Sequence, residues 1–139
     1  MQIGMFWTLM AGAAPPQRAG RLVGHLTNPA KFWRRVPVAS WPADQPGYSP
    51  TGSYWLGGVW APTNDMVIRG LARCGYPALA RRLAREYHAA VAEVFPRDGT
   101  FHENCAPDAA APGQPSRPVF CGWTALAPIA LAREWLGGA

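Results

Sequence analysis

Leu79, Leu83, Tyr87 and Val91 recur at every fourth position, and Arg81, Arg82, Arg85 and Glu86 fall between them. An apolar stripe of that period buries one helical face and leaves the charges on the solvent side. The pattern predicts a helix that Pro77 opens and Pro96 stops. The same reasoning places a short buried helix from about Gly4 to Gly12. A second opens at Pro15-Pro16, turns Leu22, Val23 and Leu26 inward and Arg18 and Arg21 outward, and closes at Asn28-Pro29. A third runs from about Pro62 to Arg73, with Val67 and Leu71 on one face and Gly75 placed to end it. The last spans about Ala125 to Leu136 and ends at Gly137-Gly138.

Between these stripes the periodicity disappears. Val36 to Ser53 is dense in Pro, Gly, Ser and Asp, yet Trp41 and Tyr48 give it something to bury, so it reads as an irregular excursion and not as a linker. Arg97 to Phe120 is similar. No stretch alternates β-branched and polar residues, and no internal repeat is visible. The expected class is all-α, with four to five helices and long irregular loops.

Composition supports a core and narrows the partners. The chain of 139 residues is 49% hydrophobic with seven Trp, while 15 Gly and 15 Pro account for the loops. A net charge of +5 invites an anionic partner, but the Arg residues scatter through helices with no Lys-rich run and no nucleic-acid motif, so none is expected. Cys74, Cys105 and Cys121 have no paired spacing and no histidine at ligand distance, which argues for free thiols, no metal and no cofactor. A reducing, cytoplasmic setting is the expectation. Met1 to Ala14 is apolar but lacks the basic start of a signal peptide. Nothing approaches the ~20 apolar residues that a membrane span needs.

The chemistry concentrates in three segments. Gly52-Ser53-Tyr54-Trp55-Leu56-Gly57-Gly58-Val59-Trp60-Ala61-Pro62-Thr63-Asn64 packs three large aromatics around a Gly-Gly hinge. Phe101-His102-Glu103-Asn104-Cys105-Ala106-Pro107 sets a lone glutamate on an irregular segment, and Gly122-Trp123-Thr124 follows. Aromatic faces stack on the C–H faces of sugars while polar edges read hydroxyls, so an aromatic wall with a loop carboxylate points to glycoside chemistry.

These segments, together with Asn28-Pro29-Ala30-Lys31-Phe32-Trp33, resemble in the same order the C-terminal part of the mannosylglycerate hydrolase-like glycoside hydrolases. Those enzymes are related to glycoside hydrolase family 63 and, more distantly, to the trehalases. The resemblance implies a partial (α/α)6 toroid, with residues 1–139 as the C-terminal part of a catalytic domain. It implies that Glu103 is the general base of an inverting hydrolysis. Such a site needs two carboxyl groups roughly 6.5–9.5 Å apart, one protonated and one ionised. The family's acid lies upstream of this segment. Tyr54, Trp55, Trp60 and Trp123 correspond to the sugar wall, with Asn64 and His102 as further substrate contacts.

Three departures fall beside those positions. Leu56 replaces the usual Arg, Cys105 the usual Tyr, and Asp65 stands where relatives commonly carry Tyr. Asp44, Asp98 and Asp108 match no catalytic position, and His25 and His88 read as surface or core histidines. The expected function is therefore a C-terminal fragment of an inverting exo-acting α-glycosidase acting on α-mannosides or α-glucosides, with the base but without the acid. The alternatives are a non-catalytic carbohydrate-binding or degenerate module, and a half-site subunit completed by a separate N-terminal chain. Helices taken from a closed toroid leave apolar faces bare, so self-association is expected.

Overall fold

The computed structural model describes residues 2–136, and their regular structure is entirely helical. A 3-10 turn, Ile3–Phe6, leads directly into α1 (Trp7–Met10). Then follow α2 (Pro16–Leu26), α3 (Ala61–Arg73), α4 (Pro77–Asp98), α5 (Cys121–Thr124) and α6 (Leu126–Leu136). Pro occupies the first turn of α2, α3 and α4, where its missing N–H has no intrahelical role.

Two boundaries differ from the sequence expectation. α4 continues through Pro96 to Asp98. A proline this close to the C-terminus forfeits one helical hydrogen bond while its φ remains helical. The stop is Gly99, in the left-handed region at φ 65°, whose N–H reaches the Phe95 carbonyl at 2.8 Å. The final helix begins earlier than Ala125 and is broken there into α5 and α6. Gly137-Gly138 lie outside the described residues.

α3 is the centre of the packing. It touches α1, α4, α5 and α6 and buries Val67, Ile68 and Leu71 completely. α1 crosses it at Gly70, where an added Cβ would stand 2.7 Å from the Met10 backbone nitrogen and 2.9 Å from Leu9 Cβ. Around this crossing lies the larger core, in which Phe6 meets Phe32 edge-on at 4.9 Å, with Leu26, Trp33 and Leu83. A second core joins Tyr87 and Val91 of α4 and Ala127 of α6 to Val36, Val59 and Cys105 from the irregular segments.

Asp65 ties α3 to α6. It accepts from Arg69 Nε at 2.9 Å on its own helix and from Arg133 Nη1 at 2.8 Å. Burial lowers the Arg133 pKa, but hydrogen bonds to Asp65 and Glu134 outweigh it, so the net shift is upward and the guanidinium stays charged. Among the described residues no helix is long and apolar enough to cross a membrane.

The glycines separate close approach from mere helix cost. Gly70→Ala should destabilise by about 1–3 kcal/mol in urea unfolding, because backbone and not a flexible side chain must yield. Gly24→Ala in α2 meets nothing within 4 Å and should stabilise by about 0.5–1 kcal/mol.

Candidate functional site

The aromatic segment is a pair of interlocked turns before α3. Leu56 N–H bonds the Ser53 carbonyl at 2.8 Å, and Gly58 N–H bonds that of Tyr54 at 3.0 Å. The path takes Tyr54 to φ 49° and Gly57 to φ 141°, where any Cβ would press on the Ser49 carbonyl. This geometry turns Tyr54, Trp55 and Leu56 outward and Trp60 inward. Trp55, 44% exposed, stacks on Trp60 at 4.4 Å and 16°. Tyr54 meets Trp60 edge-on at 5.0 Å and Trp123 does so at 5.8 Å. The four aromatics singled out in the sequence form one cluster.

The segment carrying Glu103 is irregular in shape but held throughout. Cys105 and Val59 exchange two backbone hydrogen bonds, of 3.0 and 2.9 Å, which lock it to the aromatic segment. Glu103 N–H bonds the Arg117 carbonyl at 2.9 Å. Asn104 N–H bonds Ser116 Oγ at 3.2 Å, and its carbonyl accepts from Gly113 N–H and Ser116 Oγ. Trp123 Nε1 donates to the Glu103 carbonyl at 2.9 Å, and Thr124 Oγ1 to that of His102 at 2.7 Å. From Glu103 to Cys105 every backbone N–H and C=O therefore has a partner.

The carboxylate itself is left uncommitted. The chain has eight Asp and Glu, all among the described residues, and every one except Glu103 meets a Lys, Arg or His side chain there. Asp108 accepts from Arg34 Nε at 2.7 Å and from Tyr48 Oη at 3.0 Å, while burial and the neighbouring Asp108 push the Tyr48 pKa up. His102 Nε2 lies 2.8 Å from Asp98 Oδ2, and its buried Nδ1 has no partner among the described residues.

Other site candidates are placed differently from a sugar-facing surface. Trp60 is 1% exposed and covered by Trp55, so it backs the wall. Asn64 is fully buried; its Oδ1 accepts from Val38 N–H at 3.1 Å and its Nδ2 donates to the Trp60 carbonyl at 3.2 Å. Trp123 uses its indole N–H on the glutamate loop, and Thr124, Ser116 and Arg117 join it there. Sequence reasoning gave Thr124 no role of its own within its motif and passed over Ser116 and Arg117, because the hydroxyls of Thr124 and Ser116 bond backbone and Arg117 contributes only its main-chain carbonyl. Among the described residues no three His, Cys, Asp or Glu gather as a metal cluster.

The regular structure is helical, and the solved structures that it matches place the chain with the (α/α)6 glycosidase folds. The chain is a member of the mannosylglycerate hydrolase MGH1-like glycoside hydrolase domain family, whose profile matches residues 1–124. The family 63 mannosylglycerate hydrolase of Thermus thermophilus, solved with Tris and D-glycerate, is 27% identical at TM-score 0.72 and matches 98% of this chain and 30% of its own. Its glucose complex is 28% identical at TM-score 0.71, matching 97% of this chain and 29% of its own. Neutral trehalase of Saccharomyces cerevisiae shares the fold at TM-score 0.73 and 21% identity, over 96% of this chain and 23% of its own. This chain thus spans about a third or less of the solved chains it matches. A search of curated proteins returned no match.

Thr124→Val should speed hydrogen exchange at the Glu103 and Asn104 amides, with about 1 kcal/mol of local stability lost, while Thr124→Ser retains protection. Alkali should also expose how the second core is built. Burial pushes the Cys105 thiol up from 9.0 to about 12 and raises Tyr87 as well. Both are held neutral, so their stabilisation is complete below the unfolded pKa values and is lost as pH rises above them. The melting temperature should fall above about pH 9, and less steeply in Cys105→Ala.

Proposed function

We propose that the chain supplies the C-terminal part of an inverting α-glycosidase of this family, acting on α-mannosides or α-glucosides, with Glu103 as general base. The observation that carries this is the contrast between a fully bonded loop backbone and the one side-chain carboxylate without a cation partner among the described residues. A base must be aimed and also free to take a proton from water. A clamped backbone aims it, and the absence of an ion pair leaves it available. Tyr54 and Trp55 offer the exposed aromatic faces on which a sugar ring stacks. Trp60 and Asn64 hold that wall from behind. The glucose and D-glycerate bound by the Thermus enzyme suit a sugar with a small acid aglycone.

The acid comes from helices that this chain does not include. Asp65 and Asp108 each hold an arginine, and a proton on either would break those charge-assisted bonds. A second reading, a carbohydrate-binding or degenerate module without turnover, draws on Leu56 and Cys105 at positions where the family pattern has Arg and Tyr. In the first reading residues 1–139 are one piece of the catalytic domain.

The purified chain should show no hydrolysis of mannosylglycerate or of α-mannosides and α-glucosides, since each general acid or base is worth ~10²–10⁴ in rate. Turnover by the chain alone that Glu103→Gln abolishes would mean that an acid is present after all. Joined to the preceding helices of the Thermus enzyme, the chain should hydrolyse mannosylglycerate. Glu103→Ala should then remove activity, and Trp55→Ala should mainly raise KM. Unchanged turnover in the Glu103→Ala graft would remove Glu103 from the mechanism.

A further inference from the structure

Five buried side-chain nitrogen or oxygen atoms have no hydrogen-bond partner among the described residues, and two of them belong to one corner of the candidate site: Trp60 Nε1 and Asn104 Oδ1. Both residues are 1% exposed. Gly58 lies between them. A Cβ added to Gly58 would stand 3.1 Å from Trp60 Nε1 and 3.3 Å from Asn104 Nδ2, and it would press on the Tyr54 carbonyl. Polar groups from the aromatic turn, from the residue that leads into α3 and from the glutamate loop therefore approach one point beside the Gly58 backbone. The Asn104 amide oxygen is turned away from that point, toward Gly113. The amide's own bond, from Nδ2 to the Pro115 carbonyl, is 3.4 Å long and at the edge of hydrogen-bonding reach.

An indole N–H can only donate, and a buried donor without an acceptor is rare because nothing offsets its loss of water. The groups around the point define its occupant. Two N–H donors face it, which excludes a metal cation. The Tyr54 carbonyl accepts only from Gly58 N–H, at 3.0 Å among the described residues, and keeps a lone pair for a donor that a simple anion does not carry. What accepts twice and also donates is a hydroxyl group or a water molecule. Trp55, stacked on Trp60 at 4.4 Å and 16°, closes the approach from the exposed side of the wall, so the hydroxyl of a sugar is shut out. A water with these three polar partners is satisfied.

We propose that one buried water molecule sits beside Gly58, accepting from Trp60 Nε1 and Asn104 Nδ2 and donating to the Tyr54 carbonyl. It ties the two halves of the candidate site together a second time, in addition to the paired backbone bonds of Val59 and Cys105. Trp60 supports Trp55, and Asn104 directly follows Glu103, so the water holds the aromatic wall and the glutamate loop at one spacing. Glycine is required at position 58 on two counts, since a side chain there would meet the Tyr54 carbonyl and take the place of the water. The inference stands whatever reaction the site performs.

The test is a crystal structure of the full chain at a resolution that shows ordered water, with NMR of the chain carrying isotope-labelled tryptophan. Density is expected about 2.7–3.2 Å from Trp60 Nε1, the Asn104 amide and the Tyr54 carbonyl. In solution the Trp60 indole proton, assigned with Trp60→Phe, should show the cross-peak of a long-lived water. The Trp123 indole proton, bonded to the Glu103 carbonyl at 2.9 Å, should show none. Asn104→Leu, close in volume but without the amide, should abolish the Trp60 cross-peak; if that variant does not fold, the wild-type density and cross-peak decide. An Asn104 amide turned so that its oxygen accepts directly from Trp60 Nε1 overturns the proposal, as does a folded wild-type chain whose Trp60 proton shows no bound water. A glucose hydroxyl found on Trp60 Nε1 after soaking overturns it in favour of a sugar subsite.

Discussion

Two backbone hydrogen bonds between Val59 and Cys105 join the halves of the candidate site, and much of the irregular structure is arranged around them. Both residues are buried, in a region where neither helix nor sheet supplies partners for the main chain. An unpaired buried amide or carbonyl costs about 1–3 kcal/mol, so long loops can enter a core only by bonding one another. They do so repeatedly here: Val36 N–H to the Pro107 carbonyl, Ser40 N–H to that of Gly58, and Gln114 N–H to that of Thr51. The result is a hydrogen-bonded layer without regular secondary structure, packed against α3 and α4. Cys105 suits its place because a small apolar thiol fills the space without asking for a hydrogen bond.

That layer explains how an irregular segment is held along one path. The Gly122-Trp123-Thr124 motif holds that path from α5. Its indole N–H and the neighbouring hydroxyl grip the carbonyls of Glu103 and His102, and the strap through Arg117 holds the other side. The charges follow the same logic. Carboxylates that join elements, such as Asp65 between α3 and α6, are matched to arginines.

The helices were legible in the chain because burying one helical face imposes a period near four on apolar residues. Leu83, Tyr87 and Val91 are buried as their spacing requires. Pro96 misled because its effect depends on how many helical bonds remain beyond it, which local pattern does not encode. The three motifs were legible as a set, and their order pointed to the family. The outward or inward facing of each aromatic was not. Trp55 and Trp60 read alike in sequence, yet one is the exposed face of the stack and the other its buried support.

By itself, then, the sequence determined the main helices and their faces, the irregular character of the two long loops, and which motifs make up the candidate site. These are set by local periodicity, turn chemistry and motif order. Only the tertiary structure decided that Asn64 holds backbone at 3.1 and 3.2 Å instead of facing a ligand, that Asp65 joins two helices, and that Glu103 alone among the described side-chain carboxylates has no cation beside it. The reason is physical. A hydrogen bond or an ion pair depends on separations of about 3 Å between residues far apart in the chain, and no spacing along the sequence specifies those separations before the helices pack.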